Sequence, residues 1–170
     1  MKTYNYTFKK NKFITEIDYK IFENKKNILI QIFSGEGKQT LQYLSELFDI
    51  HIPHAICVGT TTDGEINDAI ISTLHTIVSI SIFENTSINA HLIEGYDCFD
   101  NGYKIAQEIV EDNTKLLITF TSGMDTNAED YLKGIEKYNN NILVCGGMAG
   151  DNGQFNETTI SLGRKVVSLN

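Results

Sequence analysis

The sequence has no tryptophan, one proline (Pro53) and only three cysteines, Cys57, Cys98 and Cys145, among 170 residues. An odd cysteine count with no CxxC pair points to neither a disulfide framework nor a zinc ribbon. Basic charge is also short: 14 Lys plus Arg stand against 22 Asp plus Glu, a formal charge of −8. That deficit argues against a chain whose main task is to coat nucleic acid or an anionic membrane. It is uneven, because residues 1–38 hold eight Lys and four acids while the remainder carries a net −12. We read those lysines as spaced surface charge, not as a binding arm. The start, MKTYNYTFKKNKF, lacks the apolar stretch of a signal peptide, and no run approaches the roughly 18 apolar residues of a membrane span. A soluble, cytoplasmic chain is the expectation.

What is present is a globular composition, 41% hydrophobic and 21% charged, in a chain long enough for one domain with a real core. Thr3–Phe8 alternates aromatic and polar residues and reads as a strand. Phe13, Ile17, Ile21 and Phe22 follow at helical spacing. Asn27–Phe33 is a β-branched run expected to be buried on both faces, and Lys38–Phe48 shows one helical face in Leu41, Leu44, Leu47 and Phe48. His54–Val58 is a strand leading into a glycine- and threonine-rich loop, Gly59–Glu65. Residues 66–72 and 75–83 read as an antiparallel pair. Beyond them Ile88–Ile93 reads as a strand, and a helix capped by Asp97 or Asp100 runs through Ile105, Ile109 and Val110. Lys115–Thr121 is a strand, Asn127–Tyr138 a helix, Asn141–Cys145 a strand running into a loop at Gly146–Asp151, and 155–169 a hairpin turning near Gly163.

The order of elements repeats. At an offset of 88, NILIQIFSG lies over KLLITFTSG, matching Leu29 with Leu117, Ile30 with Ile118, Ser34 with Ser122 and Gly35 with Gly123. The same offset puts Tyr43-Leu44 over Tyr131-Leu132, after which it slips by one or two residues. The expected fold is α/β, with a mixed β-sheet or two related sheets flanked by helices. It would be built from two similar strand–helix–strand–helix–strand–hairpin halves, about 1–86 and 87–170.

Ligands of open α/β sheets sit beyond the carboxyl ends of parallel strands, which directs attention to Ser34-Gly35, Gly59–Glu65, Ser122-Gly123 and Gly146–Asp151. Familiar enzyme patterns fail there on spacing. A phosphate loop at Gly35–Thr40 would need glycine where Ile32 stands and Ser or Thr where Gln39 stands, and Glu36 would repel the phosphate. Gly146–Gly150 lacks GxGxxG spacing, and Ser122-Gly123 is not a GxSxG elbow. His51 and His54 flank Pro53 without further ligands, and Asp63, Glu65 and Asp68 match no calcium loop. No metal, cofactor or catalytic residue is assigned. An alternative is a hydrolase or transferase using Ser122 or Cys145 with the glycine loops as an oxyanion hole, although no histidine is placed to act as base and Cys145 is expected to be buried in its strand. A protein-interaction scaffold without a small ligand is a third reading.

At the two glycine loops the sequence resembles a known family. Cys57–Ile66 (CVGTTTDGEI) is similar to the G-C-[ST]-T-x-G-E-[IL] signature of the FIST N-terminal domain, and Val144–Asp151 (VCGGMAGD) to its second signature, a GG-[LM]-A-[GS]-D turn followed by a short insert and a hairpin. The resemblance spans essentially the whole chain. It departs in its three consecutive threonines, in Asp63 where a small residue is usual, and in its basic, aromatic N-terminus. The resemblance implies a sensory module of a bacterial signalling protein that binds a small, amino acid-like ligand. It further implies a longer protein, with a C-terminal FIST domain or an output domain such as a histidine kinase or cyclic-di-GMP enzyme, and it leaves a homodimer open. The candidate ligand-binding residues are Ser34, Gly59, Thr60, Thr61, Thr62, Asp63, Gly64, Glu65, Ser122, Gly146, Gly147, Gly150 and Asp151. Threonine hydroxyls and glycine amides would take the ligand's polar atoms, and Asp63, Glu65 or Asp151 its ammonium.

Overall fold

A computed structural model describes residues 1–95 and 97–169. Its elements in order are β1 (Lys2–Lys9), β2 (Lys12–Phe13), β3 (Asn27–Ser34), α1 (Lys38–His51), β4 (Ile56–Thr61), β5 (Glu65–Asn67), β6 (Ile70–Ser72), β7 (Thr76–Phe83), α2 (Cys98–Ile109), β8 (Leu116–Thr121), α3 (Ala128–Tyr138), β9 (Leu143–Met148), β10 (Thr158–Leu162) and β11 (Lys165–Leu169). Seven strands form a mixed sheet ordered β11-β10-β4-β3-β7-β1-β2, in which only β3 and β4 run parallel. The pairs β5–β6 and β8–β9 stand apart as two-stranded sheets. The mixed α/β class expected from the sequence is the class observed.

Strand alternation sorts the large sheet into two faces. Ile28, Ile30 and Ile32 of β3 share one face with Tyr6 and Phe8 of β1, Cys57 of β4 and Val78, Ile80 and Ile82 of β7, and all pack on Leu41, Leu44 and Phe48 of α1. Each such large side chain taken fully out of water contributes about 1.5–3 kcal/mol, so this layer is the main source of stability. Leu29, Gln31, Phe33, Thr60 and Thr62 look the other way. Space is tight at Gly59, where a Cβ would press on the Leu41 side chain and lie 2.8 Å from Ser161 Oγ, so that both would have to shift. The small residues Gly59, Ser45 and Ser161, the last two sharing a 3.3 Å hydrogen bond, let α1 lie across β4 and β10.

A second core gathers Leu117 of β8 with Ile105 and Ala106 of α2 and Tyr131 and Ile135 of α3. The units β3–α1–β4 and β8–α3–β9 share one dimension: Leu29 faces Ile56 and Leu116 faces Leu143, partners 27 residues apart in each ladder. One offset thus holds through both strands of each unit, but the helix-facing residues run one position out of step with the sequence offset of 88: Ile30 and Ile32 face α1, whereas Leu117 and Thr119 face the helices of the second unit. The second unit reaches the first through β10, which lies antiparallel on β4.

Three local expectations are overturned. Residues 13–22 form no α-helix. Lys10 and Asn11 take left-handed backbone angles (φ 52° and 61°), the signature of a two-residue hairpin that turns β1 into β2. Phe13 is thus laid edge-on to Phe8 at 5.0 Å, and Phe22 enters the core after a 3₁₀ turn at Tyr19–Ile21. Residues 66–72 do not pair with 75–83. They close on themselves as β5–β6 through a like turn at Asp68-Ala69, freeing β7 to insert between β3 and β1. Ile88–Ile93 joins no ladder; Ile93 packs on the second core from an irregular segment. Among the described residues no helix is long and apolar enough to cross a membrane.

The closest helix contact generates a test. A Cβ at Gly134 of α3 would strike the Phe99 carbonyl oxygen and come within 2.8 Å of the Tyr103 nitrogen of α2. Replacing a helical glycine by alanine ordinarily gains up to about 1 kcal/mol. Here the forced separation of two packed helices outweighs that gain, since overpacking costs about 1–3 kcal/mol. Gly134→Ala is therefore expected to lower the urea midpoint, and a raised midpoint would show the contact to be looser than described.

Candidate functional site

The loops that the sequence singled out are partly strand. Gly59, Thr60 and Thr61 belong to β4, and Gly146 and Gly147 to β9, so the true turns are Thr62–Gly64 and the segment after Met148. Both β–α–β units then exit in the same way. Thr62 N–H donates to the Ser34 carbonyl at 3.2 Å, and Ala149 N–H donates to the Thr121 carbonyl at 2.8 Å. The two exits meet. Gly150 N–H donates to the Thr61 carbonyl at 2.9 Å, while Asp63 Oδ1 accepts from the amides of Asp151 at 2.9 Å and Gly153 at 3.2 Å. Gly150 must be glycine for this approach, because a Cβ there would lie 2.5 Å from Asp63 Oδ1.

The three carboxylates expected to bind an ammonium are already engaged. Asp151 accepts from the amides of Gln154, Phe155, Asn156 and Glu157 and so organises the turn that follows it. The Asn156 amide foremost, with those of Phe155, Glu157 and Gln154, holds this carboxyl below the ordinary aspartate range against a smaller opposing effect of burial. Glu65 is buried, accepting from the Thr62 hydroxyl and from His75 N–H at 3.3 Å. Asp63 serves the opposite turn. Ser34 and Ser122 are likewise occupied. The Ser34 hydroxyl donates to the Gly37 carbonyl at 2.9 Å, and Ser122 Oγ lies 3.0 Å from Thr158 Oγ1 and accepts from the amides of Met124 and Asp125. None of these partners of Ser122 is a general base, so its hydroxyl caps a turn.

Two cavities adjoin the meeting point. One, of about 290 Å³, lies beyond the carboxyl ends of β3 and β4; it is lined by Ser34, Thr61, Thr62 and Asp151 among the expected residues, and by Glu36, Lys38 and Glu157, which the sequence did not single out. Lys38 Nζ bridges to Glu157 Oε1 at 2.6 Å across its rim. The N-cap of α1 is Gly37 (φ 84°), and among the described residues no side chain caps the first-turn amides. The other cavity, of about 430 Å³, lies between the α1-distal face of the large sheet and β8–β9. Thr60, Thr62, Gly146 and Gly147 line it together with the unanticipated Gln31, Phe33, Ile118, Phe120, Cys145 and Met148. Phe33 and Phe120 meet edge to face across it at 5.8 Å. Among the described residues only Thr62 touches both cavities, and Gly59, Asp63, Gly64, Glu65, Ser122 and Gly150 line neither. Cys145, expected in a strand interior, is exposed, whereas burial pushes the Cys57 thiol up to about 12. Among the described residues no group of three or more His, Cys, Asp or Glu is placed to hold a metal ion.

A family model, the FIST N domain, matches residues 28–170. The chain belongs to that family, which is a signal-transduction sensory domain family and not a catalytic one. No curated protein and no solved structure matches the chain significantly.

The Asp151 turn yields a pH prediction. A carboxyl whose pKa is depressed by folding contributes order that is present above its unfolded value and is lost as pH falls through its folded value. In a pH titration followed by ¹⁵N NMR, the Asn156 and Gln154 amides are expected to keep their native shifts until the pH has dropped below the ordinary aspartate range. Asp151→Ala should abolish those shifts at every pH. Movement at the usual aspartate pKa would contradict the assignment.

Proposed function

We propose that this member of the FIST family is a cytoplasmic small-ligand sensor of a bacterial signalling protein. Its ligand is an amino acid or a related metabolite, bound beyond the carboxyl ends of β3 and β4, and its signal passes to an output domain of the same chain. The observation that carries this reading is the joining of the two motif turns, by Asp63 and Gly150 behind the surface, so that Thr61 and Thr62 of one and Asp151 of the other line the same polar cavity.

The cavity suits a zwitterion. Lys38 and the uncapped first-turn amides of α1 offer cationic and donor groups to a carboxylate. Glu157 offers a carboxylate to an ammonium, with Glu36 beside it holding Lys10 N–H at 3.0 Å and the Thr76 hydroxyl at 3.4 Å. The Lys38–Glu157 pair at the rim is 44% and 35% exposed by side chain, and such pairs contribute only about 0–1 kcal/mol. A zwitterion can replace each partner for the other at little cost. Thr61 and Thr62 close the inner wall.

Thermal shift against the amino acids and their simple derivatives tests the reading. A ligand at about 100 times its Kd adds about 2.7 kcal/mol to the unfolding free energy, a rise in melting temperature that a standard scan resolves. Lys38→Ala should lower the affinity of a carboxylate ligand while changing the unliganded stability by no more than about 1 kcal/mol. A panel in which no compound raises the melting temperature would overturn the assignment.

A further inference from the structure

We propose that the cleft between the two sheets is a separate binding site, for an uncharged, flat and largely apolar small molecule. The proposal does not depend on the zwitterion reading of the neighbouring cavity.

The cleft is a consequence of face alternation. In β8, Leu117 enters the helix-side core and Thr119 Oγ1 lies 2.6 Å from the Tyr131 hydroxyl, which leaves Ile118 and Phe120 on the other face. In β3, Ile30 and Ile32 pack on α1, which leaves Gln31 and Phe33 looking back across the gap. About 430 Å³ lies between them, within the roughly 300–1,000 Å³ typical of small-molecule sites. Ile118 is still 38% exposed and Met148 45%. That is apolar surface on the inner walls of a concavity, which an apolar ligand would take out of water.

Charge sets the ligand class. In a chain with 21% charged residues, no Asp, Glu, Lys, Arg or His lines the cleft. The acids of the adjoining turns are engaged elsewhere: Asp63 with the amides of Asp151 and Gly153, Glu65 with the Thr62 hydroxyl and His75 N–H, and Asp151 with the amides that follow it. An ion entering the cleft would lose hydration and meet no counter-charge, so zwitterions, phosphates and nucleotides are disfavoured there. Shape narrows the class further. The edge-to-face pair Phe33–Phe120, one ring from each sheet, spans the gap, and the bare backbone of Gly146-Gly147 forms a wall beside it; a Cβ at Gly147 would meet nothing within 4 Å. Open space bounded by aromatic ring edges and faces and by backbone without side chains fits a planar ring system. The hydroxyls of Thr60 and Thr62 donate to the Thr61 carbonyl and to Glu65 respectively. Their oxygens are left as acceptors, so a ligand with an N–H or O–H on one edge would be held best.

Cys145 supplies the reporter, because it lies exposed in the cleft wall, while Cys57 is buried and Cys98 sits outside the cleft at the start of α2. The chain is titrated with Nile red, an uncharged planar fluorophore, and alkylation of each cysteine by iodoacetamide is followed by peptide mass spectrometry. Saturable emission is expected. At about ten times its Kd, Nile red should slow Cys145 alkylation about tenfold and leave Cys98 unchanged. Gly147→Leu, which sends a side chain into the open slot, should abolish dye binding without altering a melting shift caused by an amino acid; the milder Gly147→Ala should retain the dye. Emission with no protection of Cys145 would mean adsorption elsewhere and would overturn the proposal. So would Cys145 protection that is stronger with the anionic dye 1-anilinonaphthalene-8-sulfonate than with Nile red. Absence of an amino acid response beside intact Nile red protection would defeat only the zwitterion reading.

Discussion

Asp63 accepts the amides of Asp151 and Gly153 while the carbonyl two residues before it accepts Gly150 N–H. Much of the remaining geometry depends on that contact. Both β–α–β units end in a short turn, and each turn by itself would be a solvated strand exit. Tied together by a carboxylate and a carbonyl, they fix the carboxyl ends of β3–β4 against those of β8–β9. With β10 laid on β4 as a second tie, the two sheets meet at one end and leave a gap further along their facing surfaces. The contact also explains why an aspartate stands at position 63, where the family resemblance leads one to expect a small residue. Its carboxylate is a structural acceptor for the opposite turn.

Two cavities of opposite character follow from this arrangement. Beyond the strand ends, backbone amides, Lys38 and three carboxylates face one another, as befits the end of a parallel pair and the start of a helix. Between the sheets, alternation delivers Phe33, Ile118 and Phe120 from one side or the other, and glycine backbone fills in where β9 carries no side chain. Thr62 lies on both walls, and its hydroxyl is held by Glu65, a buried carboxylate that also holds the start of the β7 segment through His75 N–H.

The patterns legible in the sequence were those set by local periodicity. The run from Asn27 to Ser34 could only be a two-faced strand, and Leu41, Leu44 and Phe48 could only mark a helix lying on it. The likeness of NILIQIFSG to KLLITFTSG fell on two strands that each open a strand–helix–strand unit with the same 27-residue spacing, although their helix-facing residues lie one position out of step. The misread segments were those where spacing mimics an element that tertiary contacts do not build. Phe13, Ile17, Ile21 and Phe22 have helical spacing because an irregular wrap must also return to the core every few residues. Ile88–Ile93 has strand-like composition and no neighbour to pair with. Among the site residues, the glycines and threonines were found because their clustering is rare, whereas Gln31 and Phe33 were hidden inside an apolar run read as uniformly buried.

The sequence by itself determined the α/β class, the family, the buried strands and the two turns at which the units end, because each is written in residues adjacent along the chain. Only the tertiary structure decided what those residues do. Whether Asp151 faces a ligand or its own turn depends on where the amides of Gln154–Glu157 fold. Whether Gly59 lines a pocket or a helix interface depends on Leu41 and Ser161, and whether Cys145 is buried depends on what covers β9. Each of these is settled by partners far away in sequence, where hydrogen-bond geometry and packing volume, not local pattern, select the outcome.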